Sequence, residues 1–208
     1  MMTSTIFTIA RQYGSGGRQI GKKIAERLEI PFYDKELIAM AAKQSGMSEA
    51  IFEKADEKAS SSLIYSLLMG TYAYNAQLTP NDLPVNDKLF LLQTNIIKQV
   101  AQKGPCVIVG RCGDYILRDN PNCFNIYVYA DQESRVKRAV EEYGIEAKHA
   151  AEFIAKKDKQ RANYYNFYTN LKWGAAQNYH LTLNSQKFGI DRSAQLICGA
   201  AELLHSAP

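Results

Sequence analysis

The stretch "TIARQYGSGGRQIG" at residues 8–21 decides the fold of this chain. It continues a β-branched run at 4–10, "STIFTIA", which is typical of a buried strand. Positions 14–17 read Gly-Ser-Gly-Gly, and an amphipathic helix pattern follows at 18–30. Glycines in such a turn let backbone N–H groups face an anion, and a helix N-terminus adds partial positive charge. The order predicts a phosphate-binding loop, with a tight turn that binds nothing as the alternative.

The loop departs from the usual P-loop pattern G-x-x-x-x-G-K-[ST]. With the second glycine of the pattern on Gly16, its first glycine falls on Arg11, its lysine on Gly17 and its hydroxyl residue on Arg18. A guanidinium can hold phosphate oxygens through a bidentate fork, so we predict that Arg18 replaces the lysine. An outward-facing arginine at the helix start is the alternative. The predicted phosphate-binding residues are Arg11, Gly14, Ser15, Gly16, Gly17 and Arg18.

A dinucleotide-binding fold is the competing interpretation of the same glycines. Its G-x-G-x-x-G fingerprint would need a third glycine at position 19, where this chain has Gln19. Asp34 does stand about 20 residues beyond the loop, where a ribose-binding acid belongs. A dinucleotide-binding oxidoreductase is therefore the less favoured alternative.

Composition narrows the class of protein and of ligand. The 208 residues are 46% hydrophobic and 22% charged, which fits one α/β domain with a small insert. A net charge of +4 without a long basic run suits an anionic small molecule and argues against nucleic acid. Four scattered cysteines indicate reduced thiols, and three dispersed histidines argue against a metal site. No apolar run approaches the roughly 18 residues of a membrane span, so we expect a cytoplasmic protein.

Strand and helix patterns alternate along the chain. Such alternation predicts a parallel sheet whose ligands bind beyond the carboxyl ends of the strands. The stretch 60–85, which has two prolines, is interpreted as a mobile subdomain or flap. The predicted strands are 4–10, 31–34, 105–110, 123–130 and 178–185, and the predicted helices are 18–30, 35–46, 48–59, 87–104, 131–144, 145–170 and 190–204.

Five further motifs follow the loop along the chain: "IPFYDKELI" at 30–38, "GPCVIVGRCGDYIL" at 104–117, "ADQESRVKRA" at 130–139, "KKDKQRANYYNFYTN" at 156–170 and "FGIDRSAQLI" at 188–197. Together with the loop, they resemble the cytidylate-kinase-like proteins of the P-loop nucleoside monophosphate kinase superfamily. The resemblance implies an α/β three-layer sandwich with a five-stranded parallel sheet ordered 2-3-1-4-5. It implies one kinase domain over 1–208, a monophosphate-binding insert near 47–86, and a lid with post-lid helices near 139–177.

The resemblance also implies the reaction and the substrates. Members of this group transfer the γ-phosphoryl group of ATP to a nucleoside monophosphate, typically CMP or dCMP, with Mg²⁺. The implied partners are small nucleotides, with neither nucleic acid nor membrane involved. Ser15 precedes the usual position of a Mg²⁺ ligand, so no metal ligand is assigned, and nothing predicts an oligomeric state.

Substrate-binding roles carry over from the resemblance at several positions. Arg111 matches the arginine of a Gly-Arg-Asp motif that holds the substrate; Cys112 takes the aspartate position, and Asp114 is expected to compensate. A surface arginine at a helix start is the alternative. Asp34 matches the aspartate of a substrate segment, or caps the helix that follows. Met40 stands where that segment carries a phosphate-gripping arginine, which leaves the base preference open.

Two residue pairs belong to the implied lid region. Arg135 and Arg138 share a helix face and match arginines that close over the transferred phosphoryl group, although a solvated face is the alternative. Asp158 and Arg161 match an Asp-x-x-Arg pair that meets substrate, although an internal ion pair is the alternative. The predicted catalytic residues are Arg18, Arg111, Arg135 and Arg138, and the predicted substrate-binding residues are Asp34, Arg111, Asp114, Asp158 and Arg161.

The leading functional hypothesis is thus a nucleoside monophosphate kinase. Its main alternative is a nucleotide-binding regulatory protein without turnover, which the missing lysine, Cys112 and Met40 favour. The arginines retained along the chain favour the enzyme.

Overall fold

The computed structural model describes residues 4–34, 36–45 and 85–205. The chain divides into two compact units, of which the first comprises Met1–Asp34 with Ile97–Pro208 and the second Lys35–Ile96. The predicted helix at 48–59 lies outside the described residues. So do the predicted flap and the predicted insert, apart from residues 85 and 86. The insert and the lid stay predictions.

Strands and helices alternate as expected. The strands are β1 (Ile6–Arg11), β2 (Phe32–Tyr33), β3 (Cys106–Val109), β4 (Cys123–Tyr129) and β5 (Leu181–Asn184). The helices are α1 (Gly17–Leu28), α2 (Glu36–Ser45), α3 (Val85–Gln102), α4 (Gly113–Ile116), α5 (Gln132–Glu141), α6 (Ala147–Thr169) and α7 (Ser185–His205), with a 3₁₀ turn at Ala176–Asn178.

The five strands form one parallel sheet in the order β2-β3-β1-β4-β5, which confirms the predicted fold. In register, Ile6 of β1 lies opposite Cys106 of β3 and Cys123 of β4. A dinucleotide-binding sheet places its second strand beside its first, whereas here β3 separates β1 from β2. The dinucleotide-binding alternative is therefore wrong.

Helices α1 and α7 bury their apolar stripes against one face of the sheet. Ile20 and Ile24 repeat at spacing four on α1 and are fully buried with Phe7, Ile9 and Ile197. Because β-strand side chains alternate, Thr8 points to the opposite face, and its hydroxyl donates to the Asn125 side chain at 2.7 Å. This packing fixes the end of β1, where the glycine-rich turn begins.

Two local features differ from the sequence prediction. The short helix α4 was not predicted, since four residues carry no measurable periodicity. Helix α7 begins at Ser185 and not at residue 190, with a break at Gly189, whose φ is 73°. The four cysteines lie in the described ranges, where they are buried and form no disulfide. Among helices within the described ranges, none combines the length and apolarity needed to cross a membrane.

Candidate functional site

The turn between β1 and α1 is built from left-handed glycines. Gly14 and Gly16 both have φ of 76°, a conformation that costs a residue with a side chain about 1–2 kcal/mol. The fully buried Ser15 donates from its hydroxyl to the Gln12 carbonyl at 2.9 Å and accepts from the Gly17 amide at 3.4 Å. The turn is thus held from within and opens directly onto the first amides of α1.

Arginines of α5 hold the carbonyl groups of this turn. Arg138 Nη1 donates to the Gly14 oxygen at 2.7 Å, and Arg135 Nη1 reaches the Tyr13 oxygen at 3.4 Å. An exposed carboxylate, Glu142, pairs with Arg138 at 3.3 Å. The N–H and C=O of a peptide unit point in opposite directions. The Tyr13 carbonyl, tied to α5, therefore directs the Gly14 amide to the other side of the turn, while the Ser15 amide donates to the Gln12 carbonyl at 3.3 Å.

Asp158 of α6 anchors the start of the turn. Its carboxylate accepts from the Tyr13 amide at 2.6 Å, forms an ion pair with Arg135, and lies 3.9 Å from Arg161. Burial raises the pKa of Asp158, while the Tyr13 hydrogen bond and both arginines lower it. The Asp158–Arg161 pair therefore forms an internal ion pair, and its predicted contact with substrate stays a prediction.

A second ion-pair group lies at the carboxyl ends of β1 and β2. Asp34 accepts from Arg18 Nε at 2.6 Å and from Arg11 Nη2 at 3.4 Å, with only 10% of its side chain exposed. The Arg18 guanidinium also lies 5.8 Å from the ring centre of Phe32. The Asp34 carboxylate thus shows that an anion fits between these two guanidinium groups.

The segment after β3 approaches the same place. Gly110, Arg111 and Cys112 are consecutive left-handed residues, with φ of 75°, 59° and 54°. Two successive non-glycine residues in this region store strain, which tends to concentrate at functional sites. A side chain at position 110 would collide with the Arg11 guanidinium, so Gly110 makes room for that arginine.

Arg161 links the two groups. Its Nη1 donates to the Arg11 carbonyl at 3.0 Å, and its guanidinium lies 5.3 Å from the ring centre of Tyr13. Burial lowers the pKa of Arg161, Asp158 and Asp34 raise it, and the Arg111 charge lowers it. Arg161 is therefore within electrostatic reach of residues that follow β2 and β3. The basin formed by Arg11, Arg18, Asp34, Arg111 and Arg161 is named the arginine basin below.

Ser185, at the start of α7, is a loop contact that sequence reasoning missed. Its hydroxyl is fully buried and lies 2.5 Å from the Ser15 carbonyl and 3.2 Å from the Tyr129 carbonyl. The only sequence signal for it is its position directly after the last strand. Parallel strands bring their carboxyl ends to one edge, which places that residue beside the glycine turn.

A family model described as the cytidylate kinase-like family matches residues 6–187, a range that contains every residue of the turn and of the arginine basin. The chain belongs to the cytidylate kinase-like family. Membership of this family, together with the kinase-type sheet, supports a nucleotide-dependent phosphotransferase activity. The search of curated proteins found no match.

Solved structures similar to this cytidylate kinase-like protein show the same fold. An uncharacterized protein from Eubacterium ventriosum ATCC 27560 is 28% identical, with a TM-score of 0.69 and coverage of 95% of this chain and 98% of the other. Shikimate kinase from Bacteroides thetaiotaomicron is 14% identical, with a TM-score of 0.54 and the same coverages. A gluconokinase from Sinorhizobium meliloti 1021 is 13% identical, with a TM-score of 0.51 and coverages of 99% and 98%.

Most predicted site residues of this family member lie around the turn, whereas Asp114 lies deeper. Its side chain accepts from the Tyr165 hydroxyl at 2.7 Å, and the residue is 7% exposed. Burial raises the pKa of Asp114, against the hydrogen bond from Tyr165. Asp114 thus ties α4 to α6, and its predicted contact with substrate stays a prediction.

Proposed function

We propose that the protein transfers the γ-phosphoryl group of ATP to a nucleoside monophosphate, with CMP or dCMP as the preferred acceptor. One observation carries the proposal: the arginine basin, at the carboxyl ends of β1, β2 and β3, adjoins the glycine turn at the start of α1. Parallel α/β sheets bind ligands at this edge. A donor and an acceptor, both anionic, would thus be held side by side.

The glycine turn fits the phosphates of the donor. The amides that open α1 have no intrahelical acceptor, and the helix dipole adds to their attraction for an anion. The Tyr13 and Gly14 carbonyls, which would repel an anion, are held by Arg135 and Arg138. These features match a triphosphate, and Gly14, Ser15, Gly16 and Gly17 would form the cradle.

The arginine basin fits the phosphate of the acceptor. Arg161 is within electrostatic reach of both Asp34 and Arg111, and at Asp34 a carboxylate already lies between two cations. Guanidinium groups bind phosphate oxygens bidentately, and a site with little solvent strengthens that attraction. We therefore assign the acceptor phosphate to this basin.

Phosphoryl transfer requires the protein mainly to position the two substrates and to stabilise negative charge. An acceptor phosphate oxygen attacks the γ-phosphorus, the bond from that phosphorus to the β,γ-bridging oxygen breaks, and ADP leaves with the electron pair. The attacking oxygen is already an anion, so the step requires no general base. Arginines at both ends of the transfer would offset the charge that develops.

The family implies Mg²⁺, but the described side chains near the turn provide no ligand set for this ion. The Ser15 hydroxyl is bonded to the Gln12 carbonyl, and Asp34 is paired with Arg11 and Arg18. No group of three or more His, Cys, Asp or Glu in the described ranges could hold a metal ion. We therefore assign no step to a metal held by these side chains.

A substrate panel tests the proposal directly. The protein is incubated with ATP and Mg²⁺ together with CMP, dCMP, UMP, AMP or GMP, and ADP formation is followed by chromatography. Shikimate and gluconate serve as non-nucleotide acceptors, because structurally similar kinases carry those names. We expect ADP with CMP or dCMP above the rate without acceptor. ADP formed only with shikimate or gluconate would contradict the choice of acceptor.

A matched pair of variants tests the arginine basin. Arg111→Asn removes a guanidinium but retains the left-handed backbone, which asparagine tolerates. Loss of one charge-assisted contact should raise KM for the monophosphate about 10- to 100-fold. Arg118→Asn, two residues after the end of α4 and with a side chain that is 54% exposed, is the control and should leave KM unchanged. Equal KM values for the parent and both variants would remove Arg111 from the acceptor site.

The alternative is a nucleotide-binding regulatory protein without turnover. Gly17 at the lysine position is the observation that favours it. ATP binding by calorimetry, with no ADP from any acceptor, would support that alternative over the kinase. The kinase proposal also includes small nucleotides as substrates and a cytoplasmic location.

A further inference from the structure

The side chain of Arg11 occupies the space at position 17. A Cβ atom placed on Gly17 would lie 2.6 Å from Arg11 Cβ, 3.1 Å from Arg11 Cγ and 3.2 Å from Val128 Cβ. Carbon atoms in contact normally stay about 3.5–4.0 Å apart. A lysine at position 17 and an arginine at position 11 are therefore incompatible with this backbone.

The same two positions are exchanged relative to the P-loop pattern. That pattern has a glycine at the position of Arg11 and a lysine at the position of Gly17. Here the long cation stands on the last residue of β1, and the residue without a side chain begins α1. The volume and the charge that the pattern assigns to one position are thus found at the other.

The side chain of Arg11 extends from the glycine turn to the arginine basin. Its Cβ and Cγ atoms lie over Gly17, and its guanidinium lies against Gly110 and pairs with Asp34 at 3.4 Å. Only 19% of its side chain is exposed, compared with 54% for Arg18. The Arg11 side chain therefore begins beside the glycine turn that would bind the donor, and its charged end lies at the proposed acceptor site.

We propose that Arg11, and not Arg18, supplies the charge that the lysine supplies in the usual P-loop. The inference rests on the proposed function, because it assumes that the glycine turn binds the phosphates of ATP. The P-loop lysine reaches the β- and γ-phosphates, and a guanidinium can hold the same oxygens bidentately. The stem of Arg11 passes Gly17, and its guanidinium lies against Gly110 at the end of β3, from where it would reach the γ-phosphate. Asp34 then orients Arg11 from the acceptor side, and the more exposed Arg18 screens that carboxylate.

Nucleotide binding tests the assignment without requiring turnover. ATP titrations by calorimetry compare the parent with Arg11→Ala, Arg18→Ala and Arg27→Ala. Arg11→Ala should weaken ATP binding about 10- to 100-fold, and Arg18→Ala should weaken it less. Arg27, in the last turn of α1, is exposed and serves as the control whose ATP affinity should match the parent.

The exchange itself is tested by a double-mutant cycle. Gly17→Lys alone should lower the thermal midpoint, because its Cβ atom meets Arg11. Arg11→Gly removes the obstacle, so the double variant Arg11→Gly/Gly17→Lys should bind ATP more tightly than either single variant and unfold at a higher temperature than Gly17→Lys. Coupling of this kind is expected for residues in contact or around a shared space, whereas distant, independent sites give additive effects.

The outcomes separate this inference from the proposed function. ATP binding by the parent without phosphoryl transfer to any acceptor would refute the proposed function alone. ATP affinity that is unchanged by Arg11→Ala, or additive effects of the two substitutions in the cycle, would overturn the role of Arg11 alone. A parent that binds no ATP would overturn both. Weakened binding in Arg11→Ala, with recovery in the double variant, is the result that we expect.

Discussion

Replacing Asp158 with asparagine is expected to lower the free energy of unfolding by about 2–4 kcal/mol. The carboxylate is the counter-charge for Arg135 and Arg161, whose side chains are 12% and 29% exposed. It also accepts the Tyr13 amide at 2.6 Å. Asparagine keeps the shape and one oxygen for that amide, so the substitution mainly removes charge.

The magnitude follows from the burial of the group. A hydrogen bond to a charged group contributes about 1.5–3 kcal/mol, and breaking a buried ion pair costs about 3–5 kcal/mol. Burial raises the pKa of Asp158, so desolvation offsets part of what its charge contributes beside the two arginines. Solvent also screens the 15% of its side chain that is exposed, and we expect a value below the upper limit. For a chain of this size, each kcal/mol corresponds to about 2–4 °C in the thermal midpoint.

Thermal unfolding followed by circular dichroism measures the effect. Asp119→Asn is the matched control, since its side chain is 89% exposed and lies 3.8 Å from Arg118, and its midpoint should equal that of the parent. Asp158→Asn should also weaken ATP binding, because Tyr13 begins the glycine turn. A midpoint equal to that of Asp119→Asn would refute the role of Asp158 as an anchor of the turn.

Two more predictions concern the pH dependence of stability and the backbone of the turn. Burial raises the pKa of Asp114 above its ordinary 3.8, so the folded state binds more protons and its ionisation destabilises the protein as pH rises. Asp114→Asn should therefore gain stability relative to the parent with rising pH in denaturant titrations, and parallel pH curves would contradict this. Gly14→Ala should lower the thermal midpoint more than Gly144→Ala. Both glycines have positive φ, but only at Gly14 would a Cβ atom meet backbone, 2.6 Å from the Arg135 oxygen. Equal losses would show that backbone strain alone matters.

The sheet was predictable because each buried strand is a short apolar run between helix patterns. "CVIV" at Cys106–Val109 and "CFNIYVY" at Cys123–Tyr129 lie within the predicted ranges. The order of the strands came from the resemblance, since alternation alone predicts a parallel sheet without saying which strand lies beside which. The four residues of α4 and the break at Gly189 depend on tertiary contacts and leave no periodic signal.

The roles of the candidate site residues stay predictions, and most of their contacts could not be predicted from the sequence. The sequence predicts Arg135 and Arg138 on one helix face, but their bonds to the carbonyls of the turn depend on how α5 lies against that turn. The course of Arg11 past Gly17 depends on the distance between β1 and α1, which no sequence pattern encodes. Side-chain direction, and not residue type, was the missing information.

The bond between Ser185 and Ser15 joins residues 170 positions apart, and the bond between Asp158 and Tyr13 joins residues 145 positions apart. At a synthesis rate of about 5–20 residues per second, roughly 10–30 s therefore pass between synthesis of the glycine turn and synthesis of these two partners. A ribosome-bound chain that ends before α6 lacks both supports of the turn. Affinity for nucleotide is thus among the last properties that the growing polypeptide acquires.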